Sequence, residues 1–302
     1  MNKIAVQTGG PEEVYGIDGA YRLIKECGFD AVDANVDHLL SGRNIRDNSF
    51  PQPLLDGVGL RDLFVPWSYA AKKYVIDNYQ AHAPFPSYVY DNEEINKKLL
   101  SVLENTIRGC DIMDCRNLIV HPFFLGYDKK LSVKDEWDLN IESYSALIPA
   151  AKEYGITICL ENMFTAFRGK MYSACCSDID FACRMRDELN TLAGKNVFGF
   201  CLDTGHMLLC GLDAKETVLK LGKRISAFHL HDNDGKNDQH LAPYMGILDW
   251  DRLIDGIKEI GYDSTLSFET FNIWNTVDTE VMPAMMRFIS ECGRMFARRI
   301  AQ

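Results

Sequence analysis

Short apolar runs and longer amphipathic stretches alternate along the chain. KIAVQTG (3–9) reads as a strand, and GIDGAYRLIKECGF behind it carries apolar residues at helical spacing with a glycine near its end. AVDANV (31–36) follows, then a loop of Asn, Pro and Gly over about 41–59. A helix is predicted over 60–73 and a strand over YVIDNYQAH (74–82). A helix over 92–113 leads to NLIVH (117–121), and one over 141–155 leads to ITICLEN (156–162). SDIDFACRMRDELNTLAG opens on a Ser-x-x-Asp cap and closes on a glycine, ahead of the strand VFGFCLD (197–203). A helix over 213–223, ISAFHLHD (225–232), the helix WDRLIDGIKEIG, TLSFET (265–270) and a last helix from about 279 complete the series.

This makes eight strands, each followed by a helix, with strands apolar on both faces. The pattern predicts an α/β fold, a single-domain (β/α)8 TIM barrel over 1–302. A doubly wound open sheet shares the alternation, but QTGGPEEVYG, the first strand-to-helix turn, lacks the GxGxxG phosphate cradle.

Barrel chemistry sits at the C-terminal ends of the strands. The third strand ends in His82, the fourth in His121, the fifth in Glu161 and the sixth in Asp203, with His206 just beyond. The seventh delivers His229 and His231, two apart and so on one face, with Asp238 and His240 in the loop after it. The eighth delivers Glu269. Of seven histidines, only His38 lies away from these strand ends. Each residue alone has an ordinary explanation: a hydrogen-bonded structural His, a loop-capping Glu, an Asp accepting from its own turn. Together they would bury three carboxylates with nothing to neutralise them. A divalent cation answers this economically, since two Glu, an Asp and a His form a mixed oxygen and nitrogen set suited to Mn²⁺, Mg²⁺, Co²⁺ or Zn²⁺.

Composition narrows the partners. A formal charge of −11 without a basic patch argues against nucleic acid. No apolar run reaches the roughly eighteen residues of a membrane span. MNKIAVQTGG enters a strand directly and is too brief for a signal peptide, so a cytoplasmic location is the default expectation. The ten cysteines show no CxxC pair and read as reduced, mostly buried thiols.

CLEN, CLDTGH, HLHDNDGKNDQH and SFET, in this order, resemble the xylose-isomerase-like TIM-barrel superfamily, which includes sugar isomerases and epimerases, inosose dehydratases and zinc AP-endonucleases. The resemblance spans nearly the whole chain. It implies metal ligands Glu161, Asp203, Glu269 and a strand-seven His, where His229 is favoured because H-L-H-D fits H-x-x-D and His231 fits as H-D-N-D. It implies Mn²⁺ first among the ions, and Glu161 and Glu269 as acid/base groups about a metal-stabilised enediolate. His206 corresponds to a substrate-contacting histidine in epimerases and to a second-zinc ligand in AP-endonucleases. His82, His121, Asp238 and His240 match positions that complete a three-zinc cluster in the latter, and sugar-active relatives retain similar residues as polar walls of the substrate pocket.

The expected function is thus a sugar isomerase or epimerase. The alternative is a lyase or dehydratase on a sugar, polyol or C-glycoside, with a small partner subunit for C-glycosides. An AP endonuclease or a non-catalytic sugar-binding barrel stands further off. The expected partner is a small-molecule carbohydrate, and homo-oligomers are common among such barrels. Trp250 and Trp274 are candidate platforms for sugar rings, Asn162 is a candidate contact beside Glu161, and Arg168 lies in FTAFRGKMYSACC (164–176), a predicted lid.

Overall fold

A computed structural model describes residues 1–125, 131–167 and 170–302. Eight parallel strands form one sheet: β1 (Ile4–Gln7), β2 (Ala31–Asn35), β3 (Asp77–His82), β4 (Asn117–Val120), β5 (Thr157–Glu161), β8 (Phe198–Asp203), β9 (Ile225–His229) and β10 (Leu266–Phe268). β6 (Phe164–Phe167) and β7 (Lys170–Ser173) pair as a separate antiparallel hairpin. Barrel neighbours follow chain order, and β10 pairs with β1. Leu230 N donates to Ser267 O (2.8 Å) and Glu269 N to Leu230 O (3.1 Å), bringing β9 to β10 and closing the ring. The fold is a TIM barrel.

The helices are α1 (Gly9–Glu26), α2 (Gly42–Arg46), α3 (Gln52–Asp56), α4 (Leu60–Tyr74), α5 (Glu93–Ile112), α6 (Val133–Ala146), α7 (Ile148–Tyr154), α8 (Ile179–Ala193), α9 (Thr204–Leu209), α10 (Ala214–Leu221), α11 (Trp250–Glu259) and α12 (Met282–Ala301). Their apolar stripes cover the outer face of the sheet, where Val120, Leu160, Leu202, Phe228 and Phe268 join one large core. Ile119, Cys159, Cys201 and Ala227 form a separate small cluster, the floor inside the barrel. Because side chains alternate across a strand, residues two positions further on face the same interior. Those residues are His121, Glu161, Asp203 and His229.

Several local features depart from the sequence expectation. The stretch 41–59 holds α2 and α3: Ser41 and Asn44 form a capping box, and Pro51 starts α3. The third strand begins at Asp77 because α4 runs through Tyr74 and Val75 turns left-handed (φ 52°). The predicted helix over 141–155 is two helices joined at Leu147, with Pro149 opening the second. The seventh strand stops at His229, with His231 in the segment beyond. The predicted lid contains the β6–β7 hairpin, while Arg168 lies outside the described residues. No helix among the described residues is long and apolar enough to cross a membrane.

Candidate metal centre

Glu161 ends β5, Asp203 ends β8, His229 ends β9 and Glu269 follows β10. One ligand atom from each lies within 4.8 Å of the others, and all four side chains are buried. His229 Nδ1 stands 2.7 Å from Glu161 Oε1, 3.5 Å from Glu269 Oε2 and 3.9 Å from Asp203 Oδ2. Asp203 also caps α9, its Oδ1 accepting from His206 N at 2.6 Å. It therefore serves its own turn and the centre at once.

Each of the four has a further partner from another part of the barrel. Gln7 Nε2 donates to Glu269 Oε1 (2.7 Å). His121 Nε2 lies 3.1 Å from Glu161 Oε2, and His231 Nε2 lies 3.0 Å from both oxygens of Asp203. Asp33 Oδ2 lies 3.1 Å from His229 Nε2 and accepts from Gln80 Nε2 (2.8 Å). Such outer partners fix ligand orientation in metal sites.

Burial alone would raise the Glu161 pKa, but the His229 and His121 rings hold it well below the usual carboxylate range. Glu269 is likewise buried and likewise lowered, by His229 and His240. Burial lowers the His121 pKa. Burial also works against charge on His229, yet Cys201, Glu269 and Glu161 outweigh it and raise its pKa well above the ordinary value. Among the described residues, imidazoles are the recorded counter-ions of these carboxylates, with no Lys or Arg pairing to them. Glu161 Oε2 has no partner in hydrogen-bond geometry. A carboxylate-rich, nitrogen-backed set of this kind fits a divalent cation.

Two further groups adjoin the first. His82 and His121 gather with Glu161, and His206 and His240 gather with Asp238. Asp238 Oδ2 bridges the latter pair, 3.5 Å from His206 Nε2 and 3.0 Å from His240 Nε2. The His206 pKa rises to about 10 because, against the cost of burial, Asp203, Asp238 and Glu161 surround the ring. Asp238 is held far below the usual range by the two imidazoles it bridges, despite its burial. His231 and His240 stack at 4.0 Å.

The structure thus brings together Glu161, Asp203, His229, Glu269, His82, His121, His206, His231, Asp238 and His240. It corrects two expected contacts. Trp250 is buried in α11, stacks on Phe296 at 5.1 Å and donates to Asp232 Oδ2 at 2.9 Å, so its ring is spent on packing. Asn162 ties β5 to β8, donating to Asp203 O and accepting from Asp203 N, both at 2.9 Å, so both ends of its amide are committed. Trp274 lies over Gly10 and meets Tyr15 edge-on at 6.3 Å, beside the start of α1.

Among the described residues, three phenylalanines that the sequence reading did not single out pack on imidazoles of the centre. Phe85 packs on His121 (4.7 Å), Phe164 on His206 (5.0 Å) and Phe271 on His240 (4.2 Å). Gln7, Asp33 and Gln80 were also missed: each is a polar residue of an early strand, with no motif around it in sequence to mark it.

The xylose isomerase-like TIM barrel family matches residues 21–292. The chain belongs to this family. It is 29% identical over 215 residues to an uncharacterised protein of Methanocaldococcus jannaschii, covering 70% of each chain. It is similar to a D-tagatose 3-epimerase-like protein of known structure (26% identity, TM-score 0.63, covering 96% of this chain and 98% of that one). It shares its fold with the IOLI protein solved with a bound zinc atom (17% identity, TM-score 0.69, covering 99% of this chain and 97% of that one).

Proposed function

We propose that this chain is a divalent-metal-dependent sugar isomerase or epimerase that moves a proton at a carbon beside a carbonyl. The observation that carries the reading is the group of Glu161, Asp203, His229 and Glu269, in which two ionised glutamates flank one imidazole. The likeness to a D-tagatose 3-epimerase-like protein supports a sugar substrate, and the zinc-bearing IOLI structure supports a metal. Mn²⁺ is the ion the family resemblance favours; three carboxylates and one imidazole suit Mn²⁺, Mg²⁺, Co²⁺ or Zn²⁺ alike.

Glu161, Asp203, His229 and Glu269 would hold the ion, which supplies stabilisation for negative charge developing on the substrate oxygens. Glu161 and Glu269 approach the centre from different strands, so either would accept a proton from a substrate carbon within reach. His240 Nδ1 lies 3.4 Å from Glu269 Oε2, and its raised pKa keeps a proton beside that carboxylate for return. His206, 3.5 Å from Asp238, would hold a substrate hydroxyl. Phe85, Phe164 and Phe271, packed against His121, His206 and His240, would supply the apolar surface that the C–H face of a sugar needs.

The groups around His82–His121 and His206–His240 favour a second reading, a multinuclear zinc centre for phosphodiester hydrolysis. The charge of −11 weighs against a DNA substrate. One experiment separates the readings. Mn²⁺-loaded protein is incubated in D₂O with ketohexoses, aldohexoses and inososes and followed by ¹H NMR. Deuterium at the carbon beside the carbonyl with new epimers, both abolished by Glu161→Gln, is expected. Loss of water or of an aglycone would indicate a lyase. Absence of exchange with every sugar, together with zinc in threefold excess over protein after chelator-free purification, would favour hydrolysis.

A further inference from the structure

Asp33 on β2 is fully buried, and the reaction described above gives it no task. Its Oδ2 accepts from Gln80 Nε2, while its Oδ1 has no hydrogen-bond partner among the described residues. Among the described residues no Lys or Arg pairs with it; its recorded ion-pair partner is Nε2 of His229, at 3.1 Å. A buried carboxylate so sparsely partnered is costly unless it serves its neighbour.

The neighbour has a matching need. An imidazole that offers one nitrogen to a cation must keep the proton on the other, and that N–H needs an acceptor. His229 turns Nδ1 toward Glu161, Asp203 and Glu269, and Nε2 toward Asp33 Oδ2 at 3.1 Å, an ion-pair approach in which Nε2 has no partner in hydrogen-bond geometry among the described residues. The ring is confined by His82, stacked at 5.6 Å. Gln80 in turn fixes Asp33, since its Nε2 also reaches Phe228 O (3.1 Å), one residue before His229. Contacts from β3 to β2 to β9 thus converge behind a single ring.

We propose that Asp33, held by Gln80, is a positioning residue of the metal centre: it selects the Nε2–H tautomer of His229 and so presents the Nδ1 lone pair to the ion. The proposal rests on the metal-centre reading. It makes β2, which supplies no ligand, a determinant of metal affinity.

The test compares wild type with Asp33→Asn, which keeps the shape and removes the charge, and with Asp33→Ala. Mn²⁺ binding is titrated by EPR of the free ion, and thermal unfolding is followed with and without metal. Expected is a loss of about 10–100-fold in Mn²⁺ affinity in an Asp33→Asn protein that stays folded without metal. Affinity within twofold of wild type in a folded Asp33→Asn overturns the proposal. So does a metal-free melting temperature that falls in step with affinity, which would mark a purely structural role. If neither variant folds, Gln80→Met replaces them, with a severalfold loss expected and unchanged affinity counting against the proposal. Wild type that takes up neither Mn²⁺ nor Zn²⁺ would defeat the metal-centre reading itself, and with it the task given to Asp33.

Discussion

Gly205 lies directly against the ring of His231: a β-carbon there would stand 1.9 Å from Cε1 and 2.5 Å from Nδ1. The glycine of CLDTGH is therefore required by close approach, because it lets the imidazole reach both oxygens of Asp203. Gly205→Ala should push His231 off Asp203, costing roughly 1–3 kcal/mol of stability and weakening Mn²⁺ binding. With His231→Ala already in place, the same substitution should cost little, because the clash is gone. Equal costs in both backgrounds, measured by urea unfolding, would show that His231 is not what Gly205 accommodates.

Asp232 is a buried carboxylate with three donors: Asn233 N and Leu248 N on Oδ1, and Trp250 Nε1 on Oδ2, each at 2.9 Å. It anchors the long loop between β9 and α11 and takes no part in the ligand group. Trp250→Phe should keep the stacking on Phe296 but leave Oδ2 short of a donor, a loss of roughly 1.5–3 kcal/mol for a charged acceptor. KM for the sugar should stay unchanged. A KM raised severalfold with full stability would restore Trp250 as a substrate contact.

How far the sequence disclosed this centre follows from period-two alternation. CLE, CLD and AFH each place a small or apolar interior residue two positions before a ligand, and that rhythm survives in one dimension. The barrel was legible for the same reason, since eight apolar runs recur with a helix between each. Asp33 and Gln80 were not: they sit in AVDAN and DNYQAH with no chemical company in sequence, and become meaningful only when β2 and β3 lie across the barrel from β9. Trp250 misled because its place near a loop beside the strand ends suggested a platform. The indole N–H of Trp250 needed a buried acceptor, and Asp232 supplied one inside the wall. The helices α2 and α3 were hidden by Pro and Gly that act here as start and stop signals.

Metal uptake should depend on pH with a definite sign. In the metal-free centre His229 retains a proton because its pKa is raised well above the ordinary imidazole value, by acidic neighbours that outweigh burial. Coordination through that ring must displace the proton, so binding should release about one proton per ion near neutral pH. Affinity should rise with pH across the neutral range. Calorimetry in buffers of different ionisation enthalpy checks this: an apparent enthalpy independent of the buffer would mean that no proton leaves, so that the His229 ring is already neutral before the ion binds or does not coordinate it.

Without metal, stability should follow the opposite slope above neutrality. His206 has its folded pKa raised to about 10, which stabilises the fold fully below its unfolded value of about 6.5. That contribution is lost as pH rises through about 10. His229 and His240, also raised, act in the same direction. On the acid side Glu161 and Glu269, with depressed pKa values, stabilise above the unfolded carboxylate range and lose that contribution as pH falls through their folded values. His121, depressed by burial, penalises the fold further once pH drops below its unfolded value, because the unfolded chain then binds a proton that the fold does not. Chelated protein should therefore be most stable near pH 6–7 (about) and weaken toward pH 10. Mn²⁺ should protect it most on that alkaline side, where the ligand ring gives up its proton most readily. Guanidinium unfolding across this range, with and without Mn²⁺, tests both arms. A flat alkaline arm in chelator would mean that the imidazoles do not neutralise these carboxylates in the way the geometry requires.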